Sequence, residues 1–382
     1  MILGGGIGGL YSAYLLTKKN PDIQLTIVEK TNRWGGRVHT YTSSTMSVEA
    51  GAGRFSNRHP RLFSLIHDFK MDHLVIPIPN TSDYSRPSPY DLKTTLLKVI
   101  AFYEVDVFTD FTKVTFLEYA SKMLSKNEVQ FLEDSFGFYA ELVLMNTRDC
   151  IRLMMELYSS QFYILKGGLS QLIHRLVQHL HTFPNISLHL NEEVVSIKQG
   201  IVKTNKREYH VPFCICALPK DILETFTIAK PLRNKLKYLH TAPLCRIYAT
   251  FSKEWYKGGK LRCPSPLRMI FPGKTMMISY SDHKYALFWR DVEKKGKTVE
   301  ALRYFIKEEL GVRMPEPLDV KVFFWEHGVG YWGKVDSKKV SSQLVNPFPG
   351  FYICGENYSS EHQQWMEGAL ETSERVVSLI RF

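Results

Sequence analysis

A run of glycines near the start of the chain is the first feature that could do chemistry. Gly4, Gly6 and Gly9 satisfy the pattern G-x-G-x-x-G, with Gly8 in the same turn, between an apolar segment and a segment of helical periodicity. The first glycine allows a tight turn, the second lets the backbone approach a pyrophosphate, and the third lets helix and strand pack closely. Glu29 stands twenty residues after Gly9 at a predicted strand end, where its carboxylate can accept hydrogen bonds from ribose hydroxyls. A glycine-rich turn beside a surface glutamate is the alternative, but the strand, turn and helix together favour a dinucleotide site.

A basic turn follows Glu29 directly. Lys30 is adjacent, and Arg33, Gly35, Gly36 and Arg37 form the pattern R-x-G-G-R. Guanidinium groups and free backbone N–H groups both bind phosphate oxygens, as does a helix N-terminus. We therefore expect this turn to lie beside the pyrophosphate. An ordinary basic surface turn would not explain the spacing from the acidic residue.

These two motifs together resemble those of the flavin-containing amine oxidases, the group that includes monoamine, polyamine and L-amino acid oxidases. The chain's last part resembles the family's closing segment, where a strand ends in Gly-Glu at residues 351–356 and a helix begins within residues 364–370. In the family, the acid contacts the ribityl chain of FAD, and the helix N-terminus stabilises negative charge on the reduced flavin. The resemblance implies FAD as the cofactor, with contacts from Gly355, Glu356, Trp365 and Met366.

The segment from Glu49 to Arg54 corresponds to the family's loop at the substrate face of the flavin. The resemblance implies that Gly51, Gly53 and Arg54 contact the cofactor. In L-amino acid oxidases an arginine at the position of Arg54 holds the substrate carboxylate, a task that suits a bidentate guanidinium. Pairing of Arg54 with Glu49 or with a pyrophosphate oxygen is the alternative, and the sequence leaves both open.

Aromatic residues are candidates for the substrate pocket. Trp365 occupies the position of one aromatic wall in the family, and Tyr331 with Trp332 could supply a second wall. Two aromatic faces exclude water from the reacting centre. Tyr280 resembles a second carboxylate contact of the amino acid oxidases. Core packing is the alternative for Tyr331 and Trp332, and a buried strand tyrosine is the favoured interpretation of Tyr280.

Arg246 departs from the family pattern. The family usually has a lysine on this strand, which contacts flavin N5 through a water and assists reoxidation by oxygen. Arginine keeps the positive charge but does not deprotonate in a protein, so Arg246 could still orient a water. This change leaves a dehydrogenase or a slow oxidase open. We predict Arg246, Trp365 and Tyr331 as the catalytic residues.

The covalent attachment seen in monoamine oxidases is not expected here. Those enzymes bind FAD through a cysteine, and residues 328–331 of this chain contain none. We therefore predict that FAD is bound without a covalent link.

Composition limits the class of protein. The chain has 382 residues, 44% hydrophobic and 23% charged, which excludes disordered, collagenous and disulfide-scaffold proteins. Its net charge of +11 is spread along the chain, so we expect a basic surface and no nucleic-acid partner. The six cysteines form no C-x-x-C pair and the histidines show no metal-ligand spacing, so no metal site is predicted. With no apolar run of about 18 residues and no signal-like start, we expect a cytoplasmic protein without a membrane span.

Periodicity predicts an α/β protein. We expect strands at 1–3, 23–29, 246–251, 276–280, 286–290, 320–325 and 350–354, short strands within 186–218, and helices at 8–19, 61–70, 169–180, 299–310 and 365–380. Residues 92–160 are helical in character, with a capping-box pattern from Ser125 to Glu128. The predicted fold is an FAD-binding Rossmann-like domain of residues 1–75, 186–225 and 340–382. An interleaved substrate domain of residues 76–185 and 226–339 has a mixed sheet and a helical insertion at about 92–160.

The resemblance implies oxidation of the C–N bond of an amine or L-amino acid to an imine. The partners would be that small molecule and molecular oxygen, which would give hydrogen peroxide. A polyamine oxidase, a desaturase-like or porphyrinogen oxidase-like flavin enzyme, and a non-catalytic flavoprotein are the alternatives. The sequence does not indicate the substrate or the oligomeric state.

Overall fold

The computed structural model describes residues 1–381, without the side chains at positions 157 and 158. The strands are β1 (Ile2–Leu3), β2 (Leu25–Val28), β3 (Thr40–Thr42), β4 (Ser47–Glu49), β5 (Phe55–Ser56), β6 (Val75–Ile78), β7 (Asp83–Tyr84), β8 (Phe162–Leu165), β9 (Ile186–His189), β10 (Val194–Lys198), β11 (Ile201–Thr204), β12 (Glu208–His210), β13 (Cys214–Cys216), β14 (Leu239–Thr250), β15 (Leu261–Arg262), β16 (Met269–Ile270), β17 (Thr275–Asp282), β18 (Asp319–Trp332) and β19 (Phe351–Ile353).

The helices are α1 (Ile7–Lys19), α2 (Pro60–Asp68), α3 (Leu92–Val105), α4 (Phe116–Ala120), α5 (Lys126–Ser135), α6 (Tyr139–Leu144), α7 (Thr147–Ser159), α8 (Ser170–Leu180), α9 (Lys220–Glu224), α10 (Arg233–Leu236), α11 (His283–Lys294), α12 (Thr298–Leu310), α13 (Ser337–Leu344) and α14 (Met366–Leu379). Short 3-10 helices lie at Asp72–Leu74, Thr227–Leu232 and Glu356–Tyr358.

A five-stranded parallel sheet forms the first half of the fold, in the order β19-β13-β1-β2-β9. Its strands are short and almost wholly apolar, as expected for a sheet with both faces covered. Ile2 pairs with Ile27 on one side and with Ile215 on the other. The sheet therefore joins parts of the chain that are far apart in sequence.

Helix α1 is buried on nearly every side because α14 and α8 both pack against it. Gly9 is required for this packing. A Cβ atom there would lie 2.1 Å from the carbonyl oxygen of Gly4, far inside contact distance. The close approach places the helix N-terminus directly over the glycine turn.

Three long antiparallel strands form the sheet of the second half, in the order β17-β14-β18. Side chains alternate across a strand, so Tyr331 and Trp332 near the end of β18 belong to different hydrophobic clusters. Tyr331 packs with the helical region, whereas Trp332 packs beside the parallel sheet. This alternation decides which of the two can face a ligand.

The helical region from α3 to α7 matches the sequence prediction for residues 92–160. Asp91 caps α3 by accepting from the N–H of Thr94, and Ser125 with Glu128 forms the predicted capping box of α5. A second capping box, Thr115 with Glu118, begins α4. Local side-chain chemistry thus sets where these helices begin.

The predicted strand at 286–290 is wrong, because these residues belong to α11. Ala286 and Trp289 are spaced by three residues, and both are buried in one cluster with α12. The indole N–H of Trp289 donates to the carbonyl oxygen of Pro266 at 2.7 Å. Residues 286–290 alone are compatible with the periodicity of a strand and with that of a helix. The longer segment that contains them is helical.

The three segments predicted to bind the cofactor each contribute strands to the parallel sheet, and the proposed domain boundaries stay a prediction. Helix α8, which we assigned to the substrate segment, packs into the core of that sheet. Within the described residues, no helix is both long and apolar enough to cross a bilayer. The same part of the chain holds no cluster of His, Cys, Asp or Glu arranged for a metal ion.

Candidate active site

A cavity of about 580 Å³ opens at the ends of the parallel strands. Two glycine turns form one wall, and they touch each other: the N–H of Gly35 donates to the carbonyl oxygen of Gly5 at 2.8 Å. Gly6 lines the cavity, and a Cβ atom there would meet nothing within 4 Å. The turn thus presents bare backbone to open space.

Glu29 lies at this wall, and its carboxylate has partners within the protein. Oε2 accepts from the N–H of Gly5 at 2.9 Å, and Oε1 accepts from the N–H and the hydroxyl of Thr31 at 2.9 and 2.8 Å. Glu29 therefore fixes the glycine turn to the end of β2. Glu29 also lines the cavity, and its carboxylate has further lone pairs, so a ribose contact is compatible with this structural role.

The basic turn lies where the sequence predicted it, along the same cavity. The Nη2 of Arg33 donates to the carbonyl oxygen of Gly36 at 2.8 Å, while its Nη1 is buried without a hydrogen-bond partner among the described residues. Arg37 forms an ion pair with Glu356 and also donates to the carbonyl oxygen of Gly328. The two predicted motifs from opposite ends of the chain therefore meet through Arg37 and Glu356.

These features fit a dinucleotide. The N-terminus of α1 carries no side-chain cap, which leaves its first N–H groups available for phosphate oxygens. The orphaned Nη1 of Arg33 supplies a cationic donor beside them. Open space at Gly6 lets the phosphates approach the backbone.

A second, smaller cavity of about 80 Å³ adjoins the first. The two share lining residues, which include Arg246, Tyr280, Trp365 and Met366. The smaller cavity adds charged and aromatic groups that the larger one lacks, namely Arg54, Phe138, Glu141 and Tyr331. A small substrate in this space would lie next to a cofactor that fills the larger one.

Arg54 lines the smaller cavity and packs against two aromatic rings that stack on each other. Its guanidinium carbon lies 4.7 Å from the ring centre of Phe162 and 5.7 Å from that of Trp365. Burial lowers the pKa of Arg54, and the charge of Arg246 acts in the same direction. Glu49 forms no ion pair with it in the described residues: Oε1 of Glu49 accepts from the N–H of Leu169, and Oε2 accepts from the hydroxyl of Thr40.

Arg246 stands between the two cavities. Its Nη1 donates to the backbone carbonyl of Glu49 at 3.0 Å, and its guanidinium carbon lies 4.3 Å from the ring centre of Tyr280. Its Nε is buried without a partner in the described part of the chain. A fixed positive charge thus faces both spaces.

The aromatic candidates divide as follows. Trp365 lines both cavities, stacks on Phe162 with ring centres 5.9 Å apart, and leaves its buried indole N–H without a partner among the residues described. Tyr331 lines the smaller cavity, whereas the Trp332 indole N–H donates to the Ser359 carbonyl at 2.8 Å in the core. Core packing therefore accounts for Trp332, and the pocket interpretation is retained for Tyr331.

Most residues predicted for the cofactor line the larger cavity, and three do not. Gly9 packs helix against turn, while Gly53 and Arg54 line only the smaller cavity. The predicted residues that line the larger cavity are Gly4, Gly6, Gly8, Glu29, Lys30, Arg33, Gly35, Gly36, Arg37, Gly51, Gly355, Glu356, Trp365 and Met366. Their roles toward the cofactor stay predictions.

Sequence reasoning missed Glu141. It is 4% exposed in the first turn of α6 and lines the smaller cavity. Burial raises its pKa to about 8, the carboxylate of Asp282 acts in the same direction, and Arg54 opposes them. A signal was present, because Glu141 is the one charged residue in the otherwise apolar run 138–145.

Sequence comparison identifies the family. Residues 7–101 and 90–381 match the family described as flavin containing amine oxidoreductase. A putative L-amino-acid oxidase YobN of Bacillus subtilis (strain 168) is 22% identical over 98% of this chain and 93% of its own length. Coproporphyrinogen III oxidase of Staphylococcus aureus (strain NCTC 8325 / PS 47) is 33% identical, but the match covers 20% of this chain and about a sixth (16%) of that protein.

Solved structures share the fold at low identity. Wild-type putrescine oxidase bound to putrescine superposes with a TM-score of 0.79 at 13% identity, covering 99% of this chain and 97% of that one. At such identity the likeness concerns the fold, and it confirms the predicted α/β architecture. The prediction of a non-covalent FAD cofactor agrees with the family and with the two glycine turns. The chain belongs to the flavin containing amine oxidoreductases.

Proposed function

We propose that this protein oxidises the C–N bond of a small α-amino acid to an imine, with the substrate carboxylate held by Arg54. The observation that carries the proposal is that Arg54 lines the smaller cavity without an acidic partner. Its guanidinium lines the smaller cavity and packs against two aromatic rings, and no carboxylate in the described residues forms an ion pair with it. A desolvated cation without an anion is costly, so a bound carboxylate would complete the site.

The size of the smaller cavity supports this substrate class over a porphyrinogen. Pockets for drug-sized ligands occupy roughly 300–1,000 Å³. The smaller cavity measures about 80 Å³, which suits an amino acid but not a tetrapyrrole. A relative aligned across nearly the whole chain also bears the name of a putative L-amino-acid oxidase.

Each residue has a task in this proposal. Arg54 binds the carboxylate and so fixes the substrate's orientation, while Trp365 and Tyr331 exclude water from its two sides. The two glycine turns and Arg33 would hold FAD, which would supply the hydride acceptor for the carbon that bears the amine. Arg246 places a fixed positive charge where the two cavities meet.

Oxygen is the proposed final acceptor, with hydrogen peroxide as the product. Arg246 is held by the Glu49 carbonyl and by Tyr280, and it lines both cavities, where its guanidinium could orient a water. Unlike lysine, it cannot donate a proton at neutral pH. Admitting air to the substrate-reduced holoenzyme and measuring peroxide tests this part of the proposal.

Three ligands built on the same fully substituted carbon test the role of Arg54. They are 2-amino-2-methylpropanoate, 2,2-dimethylpropanoate and tert-butylamine, none of which has a hydrogen on the carbon that would be oxidised. We expect the two carboxylates to perturb the flavin absorbance at lower concentration than the amine does. In Arg54→Met, their affinity should fall by about 30-fold or more, as for loss of one partner of a buried charge pair.

Turnover supplies the second measurement. Small α-amino acids should reduce the flavin anaerobically, and Arg54→Met should lower kcat/KM by a similar or larger factor while FAD stays bound. Arg58→Met is the matched control, because Arg58 is an exposed residue outside both cavities. Equal flavin reduction by simple amines in the wild type and in Arg54→Met would instead favour a polyamine oxidase.

A further inference from the structure

Glu141 is a buried carboxyl group without a partner in the described structure. Its Oε2 accepts no hydrogen bond, and neither oxygen forms an ion pair with Arg54 or any other described cation. Burying a carboxylate without a partner costs several kcal/mol. Yet Glu141 lines the smaller cavity, so a ligand in that cavity could supply the missing partner.

The position of Glu141 is fixed by its neighbours. The buried carboxylate of Asp282 accepts from the N–H groups of Tyr139 and Ala140 at 2.9 and 2.8 Å, which anchors the start of α6. The backbone carbonyl of Glu141 accepts from the thiol of Cys150. The helix therefore holds this side chain at the cavity wall even though the side chain itself is unpaired.

Arg54, a cation, and Glu141, an acid, line one small cavity without forming an ion pair with each other. A ligand that carries both a carboxylate and an ammonium group would satisfy each of them. The α-amino acid of the proposed function has these two groups on one carbon atom. An ammonium must also lose a proton before its C–N bond can be oxidised, because the nitrogen needs its lone pair to form the imine.

We propose that Glu141 binds the ammonium group of the substrate and accepts its proton, which makes Glu141 a catalytic residue. The step converts the substrate ammonium and the Glu141 carboxylate into a neutral amine and a carboxylic acid, with no change in total charge. The N–H bond breaks, its electron pair stays on nitrogen, and the O–H bond forms on Glu141. This inference rests on the proposed function, since it takes the carboxylate to be at Arg54.

The surroundings of Glu141 set its pH behaviour. With its pKa near 8, mainly because of burial, Glu141 is mostly neutral at pH 7 in the free protein. An ammonium ligand favours the charged form of Glu141, whereas a ligand without one does not. The titratable or charged groups facing this site are Arg54, Cys150, Arg246, Tyr280, Asp282 and Tyr331.

Binding of two matched ligands therefore tests the proposal without turnover. In the wild-type holoenzyme, 2-amino-2-methylpropanoate should bind more tightly as pH rises from 6 to 8, by up to tenfold per unit. In contrast, 2,2-dimethylpropanoate should bind more weakly over pH 7–9, because ionised Glu141 repels it. In Glu141→Gln the weakening of 2,2-dimethylpropanoate should disappear. If both ligands follow the same pH trend in the wild type, or Glu141→Gln keeps the opposite trends, the proposal is wrong.

The rate of flavin reduction by an amino acid is the second readout. Glu141→Gln should slow anaerobic reduction at pH 7 by about 100-fold or more, with partial recovery at high pH where the substrate amine is already neutral. Glu128→Gln in α5 is the control and should match the wild type, since Glu128 lies outside both cavities. An unchanged rate in a folded, FAD-loaded Glu141→Gln protein would overturn the proposal.

Failure of the proposed function itself would give a different set of results. In that case neither carboxylate ligand would bind in an Arg54-dependent manner, and amino acids would not reduce the flavin even in the wild type. Failure at Glu141 alone would leave both of those results intact.

Discussion

Two glycines of the same turn have different tasks, and substitution separates them. Gly6 has φ −72° and ψ 175°, which alanine adopts freely, and its missing side chain borders open cavity. Gly6→Ala should leave the unfolding free energy of the apoprotein within about 1 kcal/mol of the wild type. Because the new methyl group would occupy the space predicted for the pyrophosphate, FAD affinity should fall at least tenfold in a fluorescence titration.

Gly9→Ala is the matched comparison. Its Cβ would lie 2.1 Å from the Gly4 carbonyl oxygen, so the turn or the helix must move. We expect urea unfolding of the apoprotein to show a loss of about 1–3 kcal/mol. Equal loss of stability in both variants would show that Gly6 is also a packing residue and that the space beside it is not open.

The sequence predicted most of the residues that line the larger cavity, but only some of the residues that line the smaller one. Gly4–Gly9, Glu29 and Arg33–Arg37 belong to one local unit of strand, turn and helix. Their spacing along the sequence is therefore enough to predict how they are arranged in space. Glu141 escaped notice because its meaning depends on Arg54, 87 positions earlier, which only tertiary packing brings to the same cavity. The internal hydrogen bonds of Glu29 were likewise invisible, since Gly5 is a partner that no motif specifies.

At the scale of elements, the unpaired acid Glu141 in helix α6 makes the unfolding free energy depend on pH. The pKa of Glu141 is raised to about 8 in the folded protein, chiefly by burial, from the ordinary value of 4.5. Between these values the folded state binds more protons than the unfolded state, so stability present at low pH is lost as pH rises toward 8. A tenfold change in a protonation equilibrium corresponds to about 1.4 kcal/mol, so the raised pKa of Glu141 changes the unfolding free energy by a few kcal/mol.

Glu141→Gln should remove this dependence, because the amide has the same shape and does not ionise. In apoprotein urea titrations, the variant and the wild type should have similar stability at pH 5, and the variant should be more stable by a few kcal/mol at pH 9. Asp282, whose pKa is raised to about 6 mainly by burial, contributes in the same direction to both proteins. Parallel curves from pH 5 to 9 would show that Glu141 is solvated through the cavity.

Elements with long periodicity or clear caps were predicted well, and short apolar runs were not. The Ser125–Glu128 capping box and the terminal helix α14 formed where expected. Residues 286–290 alone fit a strand, and only the packing of Trp289 against α12 selects the helix. Short pairs such as β15 with β7 arise from tertiary contacts between distant segments, which periodicity cannot report.

At the scale of the whole molecule, the larger cavity is shared by parts of the chain that are distant in sequence. Gly6, Glu29, Ala217, Trp325 and Glu356 all line it. A ligand that touches all five regions binds the folded state and has little affinity for the unfolded chain. By linkage, FAD at about 100 times its dissociation constant should add about 2.7 kcal/mol to the unfolding free energy.

We therefore expect the thermal midpoint of the apoprotein to rise by several degrees with FAD and to increase further with FAD concentration. FMN provides the comparison, because it lacks the adenosine monophosphate half of FAD. It therefore lacks the ribose predicted to contact Glu29 and one of the two phosphates predicted at the glycine turn, so its effect should be much smaller. Flavin release, followed by fluorescence, should coincide with loss of helix, followed by circular dichroism, since the cavity exists only when all its segments are assembled. Release of FAD well below the loss of helix would show that the cavity opens locally while the parallel sheet persists. In that case the cofactor would be held by a local loop closure, and the long-range assembly of the chain would contribute little to its binding.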